Sequence, residues 1–275
     1  MEREWKRYEG TPQRDLFREV RERFLVRHGG QAGWVLELGP GPGRFSPLVG
    51  SNTARRVLLD LSETALRYVR ESWGTRTREA IPALVRGDGA RPPLLAGRFS
   101  QVVALGNPLG FAGESAPEFL RSTLRLLAPG GTILLEAVAG AGEHSRYLRR
   151  LPPSVVGRLL RSPVGMLRPR IVREGFEPAR GGALARHGFH RFSEAELRQA
   201  FRTEGVEWRE ALAVAPLLGS EPDRLLGIPH DTPAWTHLLE LEEEFGRQPA
   251  RRKVAASLLV EGVRVGPSPP PNAWD

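Results

Sequence analysis

The stretch VLELGPGPGRF, Val35 to Phe45, runs from an apolar segment into a loop with glycine at 39, 41 and 43. WVLEL (34–38) has the short, unalternating apolar character of a strand covered on both faces. Glycine at every second position lets the backbone turn tightly and leaves no Cβ between it and a ligand. Alone this is a weak signal, because glycine-rich strand–helix turns also serve dinucleotides and phosphates. Glu37 narrows the choice: a carboxylate inside the strand end repels a pyrophosphate and suits a cation. The G-x-G-x-G spacing, with Pro40 and Pro42 between, also departs from the dinucleotide pattern G-x-G-x-x-G.

The flanking sequence alternates helix and strand. Thr11–His28 predicts an amphipathic helix with Pro12 at its start, Leu16, Val20, Phe24 and Leu25 on one face, and Gly29-Gly30 as its stop. RRVLLD (55–60) predicts a strand, and SETALRYVRESW (62–73) a helix capped by Ser62. ALVRGD (83–88) and SQVVALGN (100–107) predict two more strands. SAPEFLRSTLRLLA (115–128) predicts a helix with Ser115 in the capping position, Pro129–Gly131 a tight turn, and TILLEAV (132–138) a strand. Further on, FSEAELRQAFRTEG (192–205) predicts a helix with a Ser193–Glu196 capping box. A strand over 206–216, a helix within 232–249 and a strand over 254–265 complete the series. This order predicts an α/β fold: a Rossmann-like, doubly wound sheet whose ligands sit at the carboxyl ends of the strands.

Those strand ends carry the unusual residues: Gly39, Asp60, Asp88 and Gly106-Asn107. A carboxylate at Asp60 can accept two hydrogen bonds from a ribose diol. Asp88 can accept from an exocyclic amine such as adenine's, or it can cap a local turn into Arg91-Pro92. With Glu37, the set describes an adenosine-bearing ligand with a positive group and no phosphates, as S-adenosyl-L-methionine is. An NAD-dependent oxidoreductase is disfavoured by Glu37 and by the glycine spacing.

VLELGPGPGRF, VLLDLSETAL, LVRGDGARPPL, VVALGNPLGF and LRLLAPGGTILLE resemble, in order, the core motifs of class I S-adenosylmethionine-dependent methyltransferases. The resemblance covers residues 33–138 and extends more loosely to the final strand. It implies a seven-stranded sheet with the last strand antiparallel, S-adenosyl-L-methionine as cofactor, and methyl transfer of the EC 2.1.1 type. It implies that Gly39 and Gly41 face the methionine part, Asp60 the ribose and Asp88 the adenine, with Pro40, Leu61 and Gly89 beside them. Tyr8, on an N-terminal arm, would close over the cofactor. GNPLGF (106–111) matches only half of the Asn-Pro-Pro-aromatic motif of amino-methylating nucleic-acid enzymes. It looks more like the segment of small-molecule methyltransferases, where Leu105, Gly106 and Asn107 would line the methionine end.

The 275 residues are read as one domain, 1–275. It has an N-terminal helical arm (1–32), a helical and loop lid insertion (140–192), a connection before the last strand (216–250) and a flexible tail (266–275). The insertion holds eleven arginines against three glutamates, a local charge of +8 that equals the whole-chain figure. Such a lid can select an anionic small molecule through Arg–carboxylate or Arg–phosphate forks, or bind RNA. It lacks the interleaved aromatics that base stacking needs, which favours the small molecule. His144, His187 and His190 are candidate bases for a hydroxyl or acidic-carbon acceptor; a packing role is the alternative for each. The chain contains no cysteine, which excludes disulfides, thiolate metal sites and cysteine nucleophiles, and no metal site is read. No signal peptide or membrane span is read, and a cytoplasmic protein is expected. The functional readings are thus a small-molecule methyltransferase, an RNA methyltransferase, or a non-catalytic S-adenosylmethionine-binding protein.

Overall fold

The computed structural model describes residues 11–77, 79–139, 176–177, 189–217, 228–253, 255 and 257–266. The elements follow in chain order: α1 (Pro12–His28), β1 (Trp34–Leu38), β2 (Arg55–Asp60), α2 (Glu63–Arg76), β3 (Ala83–Arg86), β4 (Phe99–Ala104), α3 (Pro108–Phe111), α4 (Ala116–Arg125), β5 (Leu127–Val138), β6 (Phe176–Glu177), β7 (Phe189–His190), α5 (Glu194–Thr203), β8 (Val206–Ala213), α6 (Pro233–Arg247), α7 (Pro249–Arg252) and β9 (Ser257–Arg264). Seven strands form one sheet in the order β3-β2-β1-β4-β5-β9-β8. The first five run parallel, and β9 lies antiparallel between β5 and β8. The seven-stranded sheet with an antiparallel last strand is therefore present. β6 and β7 pair separately.

Local chemistry explains most element boundaries. Thr11, Ser62 and Thr232 cap α1, α2 and α6 through side-chain oxygens, each accepting a backbone N–H. Ser193 and Glu196 form the full capping box of α5. Ser115 makes no side-chain cap; a 3-10 turn, Gly113–Ser115, leads into α4 instead. Pro129–Gly131 is not a separate turn ahead of β5 but an irregularity within it. Phe99 pairs with Leu127 and Gln101 with Thr132, so the intervening residues leave the ladder.

Both sheet faces are covered, which is why the strands read as apolar runs. On one face Leu16, Val20, Phe24 and Leu25 of α1 pack with Val35, Val103, Leu134 and Leu259 of the sheet and Trp235, Leu238 and Leu239 of α6. On the other, Leu36, Leu38, Val57, Val102, Ile133 and Leu135 meet Phe119, Leu120 and Leu124 of α4 and Leu197 and Phe201 of α5. No helix among the described residues is long and apolar enough to cross a membrane.

The C-terminal end of α1 is tied to the antiparallel strands by charge. His28 lies between two carboxylates, 2.8 Å from Glu210 and 3.1 Å from Glu261. Arg247 of α6 donates to Glu210 over 2.7 Å. Burial alone would lower the His28 pKa, but the two glutamates override it and raise it to about 9. A raised folded-state pKa means that this stabilisation is complete below the unfolded value of 6.5 and is lost as pH rises through about 9. The melting temperature should therefore fall across that window, and His28→Gln should flatten the fall. An equally steep decline in the variant, followed by thermal denaturation against pH, would assign it to other groups.

Candidate functional site

β1 to β4 are parallel, so the segments that follow them gather along one edge of the sheet. The chain leaves β1 and β4 in opposite directions, which opens a crevice at the switch point between them. The glycine loop sits there. Gly39, Gly41 and Gly43 have φ of 62°, 54° and 74°, the left-handed region that costs glycine nothing. A Cβ on Gly39 would come 2.5 Å from Cβ of Pro108, so this glycine is required by the close approach of α3. At Gly41 a Cβ would meet nothing within 4 Å, so this turn of the loop faces open space. Pro40 between them is buried.

The loop is held from three sides. The Gly41 amide donates to Asp60 Oδ2 over 3.0 Å, and Ser62 donates to Asp60 Oδ1 over 2.8 Å. Arg76, at the end of α2, donates to the Pro42 carbonyl over 2.7 Å. The Ser46 hydroxyl donates to Glu37 Oε2 beneath the loop. Asp60 thus organises the loop from the carboxyl end of β2. Each of its oxygens keeps a second lone pair for a ligand hydroxyl. Burial raises the Asp60 pKa, and the two backbone amides partly offset that rise. Glu37 is 2% exposed. Burial pushes its carboxyl up to about 7, with Ser46 opposing and the Asp60 charge reinforcing the shift.

Leu61, directly after Asp60, is 68% exposed and offers an apolar surface at the strand edge. Gly87 donates to the Asp60 carbonyl over 3.1 Å, which brings Asp88 and Gly89 alongside. Asp88 is exposed, and its Oδ1 accepts the Ala90 amide over 2.9 Å, so it does shape a local turn. Gly89 is required by packing: a Cβ there would lie 2.2 Å from the Phe119 ring. After β4 come buried Leu105, Gly106 at φ 80° and Asn107 at φ 67°. Glu37, the glycine loop, Asp60, Leu61, Asp88, Gly89 and Leu105–Asn107 therefore share one edge of the sheet.

Tyr8, His144 and His187 lie outside the described residues, as does most of the lid insertion. His190, in β7, is 7% exposed and packs edge-on against Phe192, with ring centroids 4.4 Å apart. β7 rests on α3 and on the Gly113–Ser115 turn, close to the Asn107 end of the crevice. Burial lowers the His190 pKa, with Glu196 opposing. Two residues that the sequence reading passed over also belong to the site's frame. Glu136 of β5 accepts the Gly106 amide over 2.9 Å and pairs with Arg21 of α1. Their signals were a charge inside the apolar run TILLEAV and an arginine on the buried stripe of α1.

Residues 35–131 match the family model described as a methyltransferase domain. No curated protein matches the chain in sequence. Among solved structures, an S-adenosylmethionine-dependent methyltransferase from Mesorhizobium loti is similar, with TM-score 0.53, 17% identity, and 94% of this chain and 100% of that one covered. A chain of a complex containing the Haloferax volcanii Trm112 methyltransferase activator matches with TM-score 0.54, 19% identity and coverage of 92% and 91%. Geranyl diphosphate C-methyltransferase from Streptomyces coelicolor A3(2), in complex with Mg2+, geranyl diphosphate and S-adenosyl-L-homocysteine, matches with TM-score 0.51, 14% identity and coverage of 90% and 79%. At these identities the likeness is one of fold. Residues 35–131 are thus similar to a methyltransferase domain, and the fold of the chain is that of S-adenosylmethionine-dependent methyltransferases.

Proposed function

We propose that the protein transfers a methyl group from S-adenosyl-L-methionine to a small anionic molecule. The observation that carries this reading is the buried Glu37 beneath a glycine loop whose open turn, at Gly41, is clamped by Asp60. That set fits an adenosine with a cationic amino-acid part, and the Glu37 carboxylate would repel a pyrophosphate. Glu37 and the glycine loop would hold the methionine end, Asp60 the ribose hydroxyls, and Leu61, Asp88 and Gly89 the adenine. When bound, the cofactor supplies a methyl group already activated on a sulfonium, so holding the acceptor in line can provide most of the catalysis. The protein's part is to bind, orient and exclude water. His190, on the strand that rests against α3, is the base we assign for an acceptor that must lose a proton. Loss of turnover, with unchanged cofactor affinity, in His190→Gln would support that role, and unaltered turnover would end it.

The arginine-rich segment 140–192 supports an anionic acceptor, since guanidinium forks recognise carboxylates and phosphates. Similarity of fold to an enzyme bound to geranyl diphosphate, itself a small anionic molecule, points the same way. The same arginines also favour a second reading, an RNA acceptor. RNA retention that falls steeply with salt would favour it, and none at low salt would remove it.

Calorimetric titration with S-adenosyl-L-methionine, S-adenosyl-L-homocysteine and NAD in parallel tests the cofactor assignment. Both sulfur nucleosides should bind and NAD should not. A ligand cation near Glu37 favours its ionised form, so affinity should rise as pH climbs through about 7, and Glu37→Gln should flatten the rise. Binding of NAD alone would overturn the reading. Binding of none would leave a protein that kept the fold without this ligand.

A further inference from the structure

A glutamate in the middle of an apolar strand is costly unless fully paired, and apolar residues of similar volume often serve stability as well. Glu136 is 1% exposed, and both of its oxygens are used twice. Oε2 accepts from Arg21 Nε over 2.7 Å and from the Gly106 amide over 2.9 Å. Oε1 accepts from Arg21 Nη2 and from the Ser257 hydroxyl. Burial alone would raise the Glu136 pKa, but Arg21, Ser257 and Gly106 bring it below the ordinary carboxylate value. Arg21 is itself braced on α1, donating to the Phe17 carbonyl.

The Gly106 amide is the informative partner. Gly106 and Asn107 take successive left-handed conformations, at φ 80° and 67°, to turn the chain out of β4. Asn107 gains no cap bond from this geometry. Such a turn persists only when its surroundings hold it. Two bonds to β5 do so here: Gly106 N to Glu136, and the Val138 amide, which donates to Asn107 Oδ1 over 3.2 Å. The first of these depends on where Arg21 holds the carboxylate, and hence on how α1 is docked.

We propose that Glu136 and Arg21 are positioning residues for the ligand site: their ion pair fixes the Gly106 amide, and so the Leu105–Asn107 wall of the crevice, in register with the docked N-terminal helix. This rests on the assignment of that crevice to S-adenosyl-L-methionine. Neither side chain need touch the ligand.

The test is calorimetric titration of S-adenosyl-L-homocysteine into the unaltered chain, Glu136→Gln, Arg21→Gln and Phe201→Leu, with amide exchange at Gly106 measured on each. Phe201 is buried on α5 beside Gly262, which pairs with Ile133 toward the amino end of β5, away from Gly106, so its truncation controls for lost stability. Glu136→Gln and Arg21→Gln should bind about tenfold more weakly, as expected when a charge-assisted hydrogen bond is disturbed, with faster exchange at Gly106. Phe201→Leu should stay within about twofold of the unaltered chain, because a packing loss that shares no partner with the pair does not couple to it. Undiminished affinity in both pair variants, or an equal loss in Phe201→Leu, would overturn the inference. If Glu136→Gln does not fold, Arg21→Lys decides: it keeps the charge but not the fork, and should bind more weakly than the unaltered chain. Failure of the unaltered chain to bind would overturn the cofactor reading instead, and exchange at Gly106 would still report whether the pair holds the turn.

Discussion

Replacing Gly41 by arginine should weaken binding of S-adenosyl-L-homocysteine by about a hundredfold while leaving the protein folded. The position has φ +54°, so a side chain costs about 1–2 kcal/mol in backbone strain. Its Cβ would meet no protein atom within 4 Å, so no further packing penalty arises. The bulk instead enters the turn of the loop that faces the crevice. Intrusion into a fitted site costs about 1–3 kcal/mol or more, up to about a hundredfold in affinity. Thermal denaturation and calorimetry on one preparation separate the two effects. Gly39→Ala should behave differently, because its Cβ would strike Pro108 at 2.5 Å and must displace α3 or the loop. If Gly41→Arg bound as tightly as the unaltered chain, the ligand would have to lie elsewhere.

Asp60→Ala should weaken the same ligand by about ten- to a hundredfold, the range for losing hydrogen bonds to a charged group at about 1.5–3 kcal/mol. Two losses combine. The diol would lose its acceptor, and the Gly41 and Ser62 amides would lose the carboxylate that now receives them at 3.0 and 2.8 Å. Asp60→Asn keeps one acceptor oxygen and should lose less. A 2′-deoxy ligand apportions the effect. It should bind the unaltered chain more weakly and Asp60→Ala no more weakly than the parent ligand does. A folded Asp60→Ala protein with full affinity would take this carboxylate out of the ligand site and leave it a loop clamp.

Much of the architecture was legible in the residue order, because each element carried its own local reason. Thr11, Ser62 and the Ser193–Glu196 box name helix starts by chemistry that acts within four residues. The apolar runs at 34–38 and 55–60 name buried strands, since only a sheet covered on both faces tolerates them. The reading failed where the deciding partner lay far along the chain. Pro129–Gly131 reads as a turn, yet the ladder resumes around it because β4 pairs on either side. Asp88 was ambiguous between ligand and turn. The turn role is visible once the Ala90 amide is seen at 2.9 Å, and that bond leaves its other oxygen for a ligand.

By itself the sequence determined the alternation of strand and helix, and hence a parallel sheet with its glycine loop and acids at the carboxyl ends. Those follow from periodicity, capping and the conformational freedom of glycine, all of which are short-range. Only the tertiary structure decided which groups answer one another. It set Asp60 on the Gly41 amide, His28 between Glu210 and Glu261, and Glu136 between Arg21 of α1 and Gly106. A buried charge needs a partner, but nothing in its neighbouring residues says which. Arg21 and Glu136 are 115 positions apart, and only the docking of α1 on the sheet makes them a pair.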